Sequence, residues 1–157
     1  MIVSSSGYEA KGKSKRGIGV VRLLYHSVSA LSSFNEENEI ASIVKDSIAW
    51  NAQMGVTGAL IYTGSRFVQA LEGDRDTVEQ LVKSIAADRR HSQVTVVHRD
   101  EIAERRFSNW QMAYRGPASD LNQTVEELIH TYPDTASAVQ HVYDVMEEFA
   151  QPRRPGG

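Results

Sequence analysis

The chain has 157 residues, of which 41% are hydrophobic and 24% are charged, a balance typical of one globular domain with its own core. A formal net charge of −3 offers no general attraction to nucleic acid or to an anionic membrane, and no apolar run approaches the roughly 20 residues of a membrane span. The absence of cysteine excludes disulfides, thiolate metal sites and thiol nucleophiles, and it suits a cytoplasmic protein.

The first regular element is a strand that follows a polar leader. Residues 1–16 are rich in Ser, Gly and Lys, and we expect a flexible N-terminal tail there, with a basic docking arm as the alternative. The segment GVVRLLYHS then alternates as a strand does and places Val21, Leu23 and Tyr25 on one face. A buried tyrosine usually finds a partner for its hydroxyl.

A helix is predicted next, over SSFNEENEIASIVKDSIAWNAQMG, and Gly55 ends it. Ile43, Ser47 and Asn51 lie four residues apart and therefore share one stripe of this helix. Two polar side chains on that stripe either face solvent or meet a polar group. For Asn51, the alternative is that its side chain only caps the end of the helix.

Two strands joined by a tight turn follow in VTGALIYTGSRFVQALEG. Thr-Gly-Ser at 63–65 predicts a β-hairpin, and Glu-Gly-Asp at 72–74 is interpreted as the turn that closes its second strand. Phe67, Gln69 and Leu71 share one face of that strand. An amide buried there without partners costs about 1–3 kcal/mol, so Gln69 needs a hydrogen-bonding partner.

The remaining segments predict one more helix, two strands and two C-terminal helices. DRDTVEQLVKSIAADRR has helical apolar spacing, and QVTVVHR and NWQMAY have the composition of strands. In NWQMAY, alternation places Trp110, Met112 and Tyr114 on one face. Two amphipathic segments that follow Gly116 predict the last two helices.

The predicted order β-α-β-β-α-β-β is typical of an α+β ferredoxin-like sandwich, with a mixed sheet and two helices on one face. Because the strands are apolar on both faces, the two C-terminal helices are expected to cover the other face. We expect the sandwich at residues 17–116, the helical cap at 117–150 and a flexible tail at 151–157.

Tyr25, Asn51 and Gln69 form a candidate binding site. Taken singly, each has an ordinary structural role, as a core tyrosine, a helix cap or an amide bonded to backbone. Together they suit one flat, apolar body with hydrogen-bonding edges, such as a heteroaromatic cofactor between the two helices of the sandwich. The spacing does not identify the cofactor.

The chain resembles the BLUF domains, which are blue-light sensors that use flavin. The resemblance covers roughly Val20 to Tyr114, and RLLYHS, NAQMGVTGALIY, FVQALEG, DRRHSQV and RRFSNWQMAY carry it in this order. It implies a flavin between the two helices of the sandwich, with FAD as the expected form and FMN as the alternative.

The resemblance also implies a role for each matching residue around the flavin. Tyr25 would donate a hydrogen bond to Gln69, and Gln69 would reach N5 and O4 of the flavin. Asn51 would bond to the pyrimidine edge of the ring. Ile43 and Ser47 would pack on the ring from the first helix.

A second group of matching residues would lie across the ring and along the path of the signal. Arg90 and His91 would flank the opposite side of the flavin, with Asp88 and Arg90 toward its ribityl and phosphate end. Trp110 and Met112 occupy positions whose rearrangement is linked to signalling in the family.

Trp50 departs from the family pattern, since members often have a polar residue such as Asn or His just before the matching asparagine. Packing is the favoured interpretation of Trp50, and an additional electron donor that competes with Tyr25 is the alternative.

The resemblance implies a non-enzymatic blue-light photoreceptor in which light rearranges the hydrogen bonds of Tyr25, Gln69 and flavin. We expect the signal to leave through the last strand and the C-terminal helices, to an unidentified downstream protein or through a homo-oligomer of two or more copies. A light-independent ligand-binding or regulatory module is the alternative. The loop VSALSSF lacks the glycines and arginine of a phosphate cradle, which disfavours an enzyme, and a strand separates His91 from His98, which disfavours a metal site.

Overall fold

The structure is a computed structural model that describes residues 20–131 and 134–151. The predicted tail at 1–16, and residues 152–157 of the predicted C-terminal tail, lie outside the described residues. No helix in the described ranges is both long and apolar enough to cross a membrane.

In chain order the elements are β1 (Val20–Ser29), α1 (Glu36–Met54), β2 (Thr57–Tyr62), β3 (Arg66–Gly73), α2 (Arg75–Ala87), β4 (His91–Ile102), β5 (Ala113–Arg115), a 3-10 turn (Ser119–Leu121), α3 (Asn122–His130) and α4 (Ala136–Ala150).

The strands form one sheet in the spatial order β4-β1-β3-β2-β5. β3 pairs antiparallel with both β1 and β2, β4 pairs antiparallel with β1, and β5 pairs parallel with β2. The crossover through α1 makes β1 and β2 parallel and leaves a place between them, which β3 fills after the hairpin. The prediction of a mixed, ferredoxin-like sheet is confirmed.

Different pairs of helices cover the two faces of the sheet. On one face, Leu23 and Leu71 pack against Val78 and Leu81 of α2, with Trp50 of α1 at the edge of the same cluster. On the other face lies a cluster shared with α3 and α4, which includes Leu24, Ala59, Ile61, Val68, Ala70, Val125, Leu128, Val139, Val142 and Met146. The C-terminal helices therefore cover the second face, as predicted.

The segment NWQMAY differs from its prediction as one strand. β5 begins only at Ala113, and Trp110 packs with the α3–α4 cluster while Met112 packs on the α1 side of the sheet. The Trp110 carbonyl accepts a hydrogen bond from the Gly58 N–H over 3.1 Å, so the chain before Ala113 does not continue the regular ladder. Gly58 is required there, because a Cβ would lie 2.0 Å from the carbonyl O of Ala70.

Glu72 is a buried part of β3, so the turn predicted at 72–74 begins later than expected. Its carboxylate accepts hydrogen bonds from Arg22 Nε at 2.9 Å and Thr57 Oγ1 at 3.0 Å. It also accepts from the backbone N–H groups of Arg106 at 2.8 Å and Phe107 at 2.9 Å. A buried carboxylate needs such partners, and here they tie the β4–β5 connection to β3.

Candidate functional site

A phenol, an amide and a thioether form a buried chain between β1, β3 and the segment before β5. The register of β1 and β3 places Tyr25 directly opposite Gln69. The Tyr25 hydroxyl donates to Gln69 Oε1 over 2.5 Å, and Gln69 Nε2 donates to the Met112 sulfur over 3.4 Å. Tyr25 and Gln69 are only 1% and 4% exposed, so these contacts supply the partners that the buried amide needs.

The two ends of the Gln69 amide are held with unequal strength. A phenolic hydroxyl is a good donor, whereas the thioether sulfur of Met112 is a weak acceptor. Burial, together with the charge of Asp88, raises the pKa of Tyr25 far above its ordinary value, so its hydroxyl stays protonated at neutral pH. A rotation that exchanges Oε1 and Nε2 of Gln69 is therefore opposed mainly by the Tyr25 hydrogen bond.

Asn51 supplies a second buried amide, from the stripe of α1 that also carries Ile43 and Ser47. Asn51 Nδ2 donates to the carbonyl O of Gln111 over 2.8 Å, so the side chain links α1 to the segment before β5. Asn51 Oδ1 is buried and has no hydrogen-bond partner among the residues that the structure describes. An orphaned buried acceptor of this kind matches the N–H edge of a heteroaromatic ligand.

Asp88, Arg90 and His91 lie where α2 leads into β4. The Arg90 guanidinium binds the Asp88 carboxylate, with the shortest contact at 2.7 Å. Partial burial acts to raise the pKa of Asp88, but the hydrogen bonds and charge of Arg90 outweigh it and lower that pKa to about 2. The ion pair therefore persists at neutral pH.

His91 is fixed by a contact with Ser27 of β1, whose Oγ lies 2.8 Å from His91 Nδ1. Its ring centroid lies 4.5 Å from that of Phe67 and 6.4 Å from that of Tyr25. Burial lowers the pKa of His91 to about 4, although the charge of Asp88 opposes the shift. The imidazole is therefore neutral at pH 7 and presents a ring rather than a charge beside the phenol.

These side chains meet at one cleft beneath α1. The residues that line it are Tyr25, Ile43, Ser47, Leu60, Gln69, Ile85, Asp88, Arg90 and His91. The lining combines apolar walls with a polar edge and an ion pair, and this donor set fits a flat ring with a charged tail.

The structure brings together most of the residues predicted for the site. Seven of the eight predicted cofactor-binding residues line the cleft, and Asn51 lies on the same helix stripe as two of them. Trp110 lies away from it, packed with the α3–α4 cluster. Sequence reasoning missed Leu60, Ile85 and Ser27. The sequence does contain a signal for Ser27, because this polar residue lies on the same face of β1 as Tyr25.

The described residues form an α+β domain in which a ferredoxin-like sheet carries a buried phenol–amide pair on the face covered by α1 and α2. The family model described as BLUF, sensors of blue-light using FAD, matches residues 20–113. The chain therefore belongs to the BLUF family, and the matched residues are a blue-light sensor domain that uses flavin.

Curated relatives share this domain within much longer proteins. The photoactivated adenylate cyclase subunit beta of Euglena longa is 33% identical over 114 residues, which are 72% of this chain and 11% of that protein. The blue light- and temperature-regulated antirepressor BluF of Escherichia coli (strain K12) is 39% identical over 57 residues, which are 36% of this chain and 14% of that protein. The chain thus spans 11% of the length of the Euglena longa relative.

Solved structures agree with the fold. The dark-state structure of BlrB, a BLUF protein, is 29% identical, with a TM-score of 0.67 over 82% of this chain and 98% of that chain. The photo-activated state of BlsA has a TM-score of 0.69 over 86% of this chain and 99% of that chain. At 22% identity, the second likeness supports the fold alone.

Proposed function

We propose that the chain is a blue-light receptor whose switch is the hydrogen-bonded chain of Tyr25, Gln69 and Met112. The observation that carries the proposal is the buried contact between the Tyr25 hydroxyl and Gln69 Oε1. A side-chain amide is suited to switching, because its two ends are a donor and an acceptor of nearly equal size.

The proposed cofactor is FAD, held between α1 and the α2–β4 connection. Ile43 and Ser47 would contact one side of the ring, and His91 would contact the other. Asn51 Oδ1 would accept from its N–H edge, and Arg90 would bind a phosphate. Bound flavin supplies the absorption of blue light and an excited state that accepts an electron.

The protein residues convert that excitation into a changed hydrogen-bond pattern. Tyr25 would supply one electron to the excited flavin and release its hydroxyl proton along the short contact to Gln69 Oε1, and it would recover both on return to the ground state, so that no net charge or atom is transferred. Rotation of the amide then exchanges Oε1 and Nε2, so that an N–H faces Tyr25 and an oxygen faces the Met112 sulfur. Because two acceptors repel, Met112 loses its contact and is the first side chain outside the amide to move.

The proposed output runs from Met112 to the C-terminal helices. Met112 directly precedes β5, and Arg106 lies earlier in the same β4–β5 connection. The Arg106 guanidinium contacts the carboxylates of Asp144 and Glu147 in α4, each at 2.6 Å. A displaced connection would therefore pull on α4, and a local switch acts as a signal when it biases such an element.

The proposed receptor works without catalysing a reaction and passes its signal to a downstream protein or to another copy of itself. We also place it in the cytoplasm, since a chain with no cysteine gains nothing from an oxidising compartment.

A light-minus-dark absorption spectrum of the purified chain tests the proposal. We expect a yellow protein whose flavin bands shift to the red under blue light and return in the dark. A chain that takes up no added FAD, or whose bound flavin shows no shift, contradicts the receptor and favours a light-independent ligand-binding module.

Asn51→Ala should weaken flavin retention. It removes the proposed acceptor for the ring edge, and one hydrogen bond of about 0.5–1.5 kcal/mol corresponds to a roughly 2- to 10-fold higher dissociation constant. Titration of the apoprotein with FAD measures the change. Gln53→Ala, at an exposed position near the end of the same helix, is the matched control. Equal affinities in Asn51→Ala and the wild type would remove Asn51 from the site.

Blue light should change backbone amide exchange within residues 109–149 and leave α2 unchanged. The physical reason is the route from Met112 through the β4–β5 connection to α4. Hydrogen exchange by mass spectrometry, in the dark and under light, makes the measurement, and Gln69→Leu serves as the control that cannot switch. Identical exchange across 109–149 alongside a normal spectral shift would mean that the signal leaves elsewhere.

A further inference from the structure

Tyr143 of α4 brings a polar group into the largely apolar contact between the C-terminal helices and the sheet. Its side chain is fully buried and lies in the same cluster as Leu24 and Met146. The Tyr143 hydroxyl lies 2.7 Å from Nδ1 of His98 in β4, and the two rings meet edge to face with their centroids 5.5 Å apart. Because a buried hydroxyl without a partner is costly, this contact ties α4 to β4 in one orientation.

The charge states of both groups suit the contact. Burial raises the pKa of Tyr143 well above its ordinary value, so the hydroxyl is protonated at neutral pH. Burial, together with the charge of Arg22, lowers the pKa of His98, although Asp100 opposes the shift. The imidazole is therefore neutral at pH 7, and in the tautomer protonated at Nε2 its Nδ1 accepts from the Tyr143 hydroxyl.

Two guanidinium groups lie against the Tyr143 ring. The Cζ atom of Arg22 is 5.3 Å from the ring centroid, and that of Arg106 is 5.6 Å from it. A cation is attracted to the face of an aromatic ring, and the attraction is stronger where water is excluded. Arg22 belongs to β1, whereas Arg106 belongs to the β4–β5 connection. The ring therefore contacts both the sheet and the connection.

One carboxylate positions both arginines. Glu72 Oε2 accepts from Arg22 Nε over 2.9 Å and from the backbone N–H of Arg106 over 2.8 Å. Arg22 also donates to the carbonyl O of Glu104, in the same connection, over 3.3 Å. A displacement of the β4–β5 connection therefore changes the position of both cations relative to Tyr143.

The ion pairs between Arg106 and α4 are less suited to this coupling than the buried ring. The side chains of Asp144 and Glu147 are 66% and 37% exposed, so water and salt screen their attraction to Arg106. Tyr143 is shielded from both. A change in the position of Arg106 should therefore affect α4 mainly through the Tyr143 ring.

We propose that Tyr143 is the positioning residue that locks α4 to β4 in the dark and passes the light signal to α4. When the β4–β5 connection moves, Arg106 changes its position, the Tyr143 ring moves with it, and the hydroxyl leaves His98. α4 then keeps its apolar and exposed contacts alone and opens more often. The light-driven step rests on the proposed receptor function, whereas the lock in the dark rests on the contacts of Tyr143.

Hydrogen exchange by mass spectrometry on the full-length, flavin-loaded protein tests the lock, in the dark and under blue light. Tyr143→Phe keeps the ring and removes the hydroxyl. In the dark its α4 peptides should exchange about 2- to 10-fold faster than those of the wild type, and light should change them no further. The red shift should stay normal, because Tyr25 and Gln69 are unchanged. Asp144→Asn, which removes an exposed charge beside Tyr143, is the matched control and should keep the light response.

Variants of His98 distinguish a lock between two side chains from a separate structural role of either one. His98→Ala should release α4 as Tyr143→Phe does, and the double variant should exchange no faster than either single one, because both changes remove the same contact. His98→Asn returns an acceptor near the position of Nδ1 and should restore slow exchange in the dark. The flavin content and melting temperature of each variant show that it folds.

Three results would overturn the proposal: wild-type exchange of α4 in Tyr143→Phe in the dark, additive effects of Tyr143→Phe and His98→Ala, or a full light response of α4 in Tyr143→Phe. A wild-type protein without a red shift would instead contradict the receptor function. The dark exchange of the same variants would still decide whether Tyr143 and His98 lock α4.

Discussion

Gln69→Leu should abolish the light-induced red shift while the protein still binds flavin. Leucine occupies a similar volume but has neither the acceptor that takes the Tyr25 hydrogen bond nor the donor that faces Met112. Without an amide there are no ends to exchange, and no hydrogen bond near the flavin can change. The light-minus-dark spectrum of the variant should be flat on the timescale at which the wild type shifts and recovers.

The same substitution should lower stability, because it leaves the Tyr25 hydroxyl buried without an acceptor. The expected loss is about 1–3 kcal/mol in the free energy of unfolding, which denaturant titration in the dark measures. Gln53→Leu makes the same chemical change at an exposed position and should affect neither property. A normal red shift in Gln69→Leu would show that the amide is not the switch.

The sequence predicted which residues of each strand face the core. It did not predict which residues of neighbouring strands lie opposite each other. Alternation alone places Tyr25 and Gln69 on apolar stripes. Which residues stand opposite each other depends on the register of β1 against β3, and that register follows from the hairpin and the crossover through α1. The direct pairing of Tyr25 with Gln69 therefore becomes visible only in the folded sheet.

Two misinterpretations have the same cause, which is that tertiary contacts override a short local pattern. Trp110 and Met112 alternate as a strand would, yet they pack on opposite sides of the sheet because the Trp110 carbonyl bonds to Gly58. Glu72 resembles a turn residue by its charge and its neighbours. It continues β3 instead, because Arg22 and the N–H groups of the β4–β5 connection satisfy its carboxylate.

Trp50 departs from the family pattern, and the structure shows which side chains it packs against. Its side chain packs against the cluster that contains Tyr25, Leu23 and Leu71. That contact supports the packing interpretation of Trp50. It also places an indole, which can give up an electron, in the same cluster as the proposed donor Tyr25.

Tyr25→Phe should retain flavin and lose the normal photocycle. The ring still fills the core beside Gln69, so the cleft keeps its shape, but the hydroxyl that donates to Gln69 Oε1 is gone. No proton can then move along that contact, and the amide loses the partner that holds it in its dark orientation. Transient absorption after a blue pulse, together with the steady-state difference spectrum, measures the loss.

A residual photoreaction in Tyr25→Phe would identify a second donor, and Trp50 is the residue to test. If the indole supplies the electron, the residual signal should disappear when Tyr25→Phe is combined with Trp50→Phe. Trp50→Phe alone should keep the normal red shift, because Tyr25 and Gln69 remain paired. Identical residual photochemistry in the single Tyr25→Phe variant and in the double variant would exclude Trp50 as the donor and leave it a packing residue.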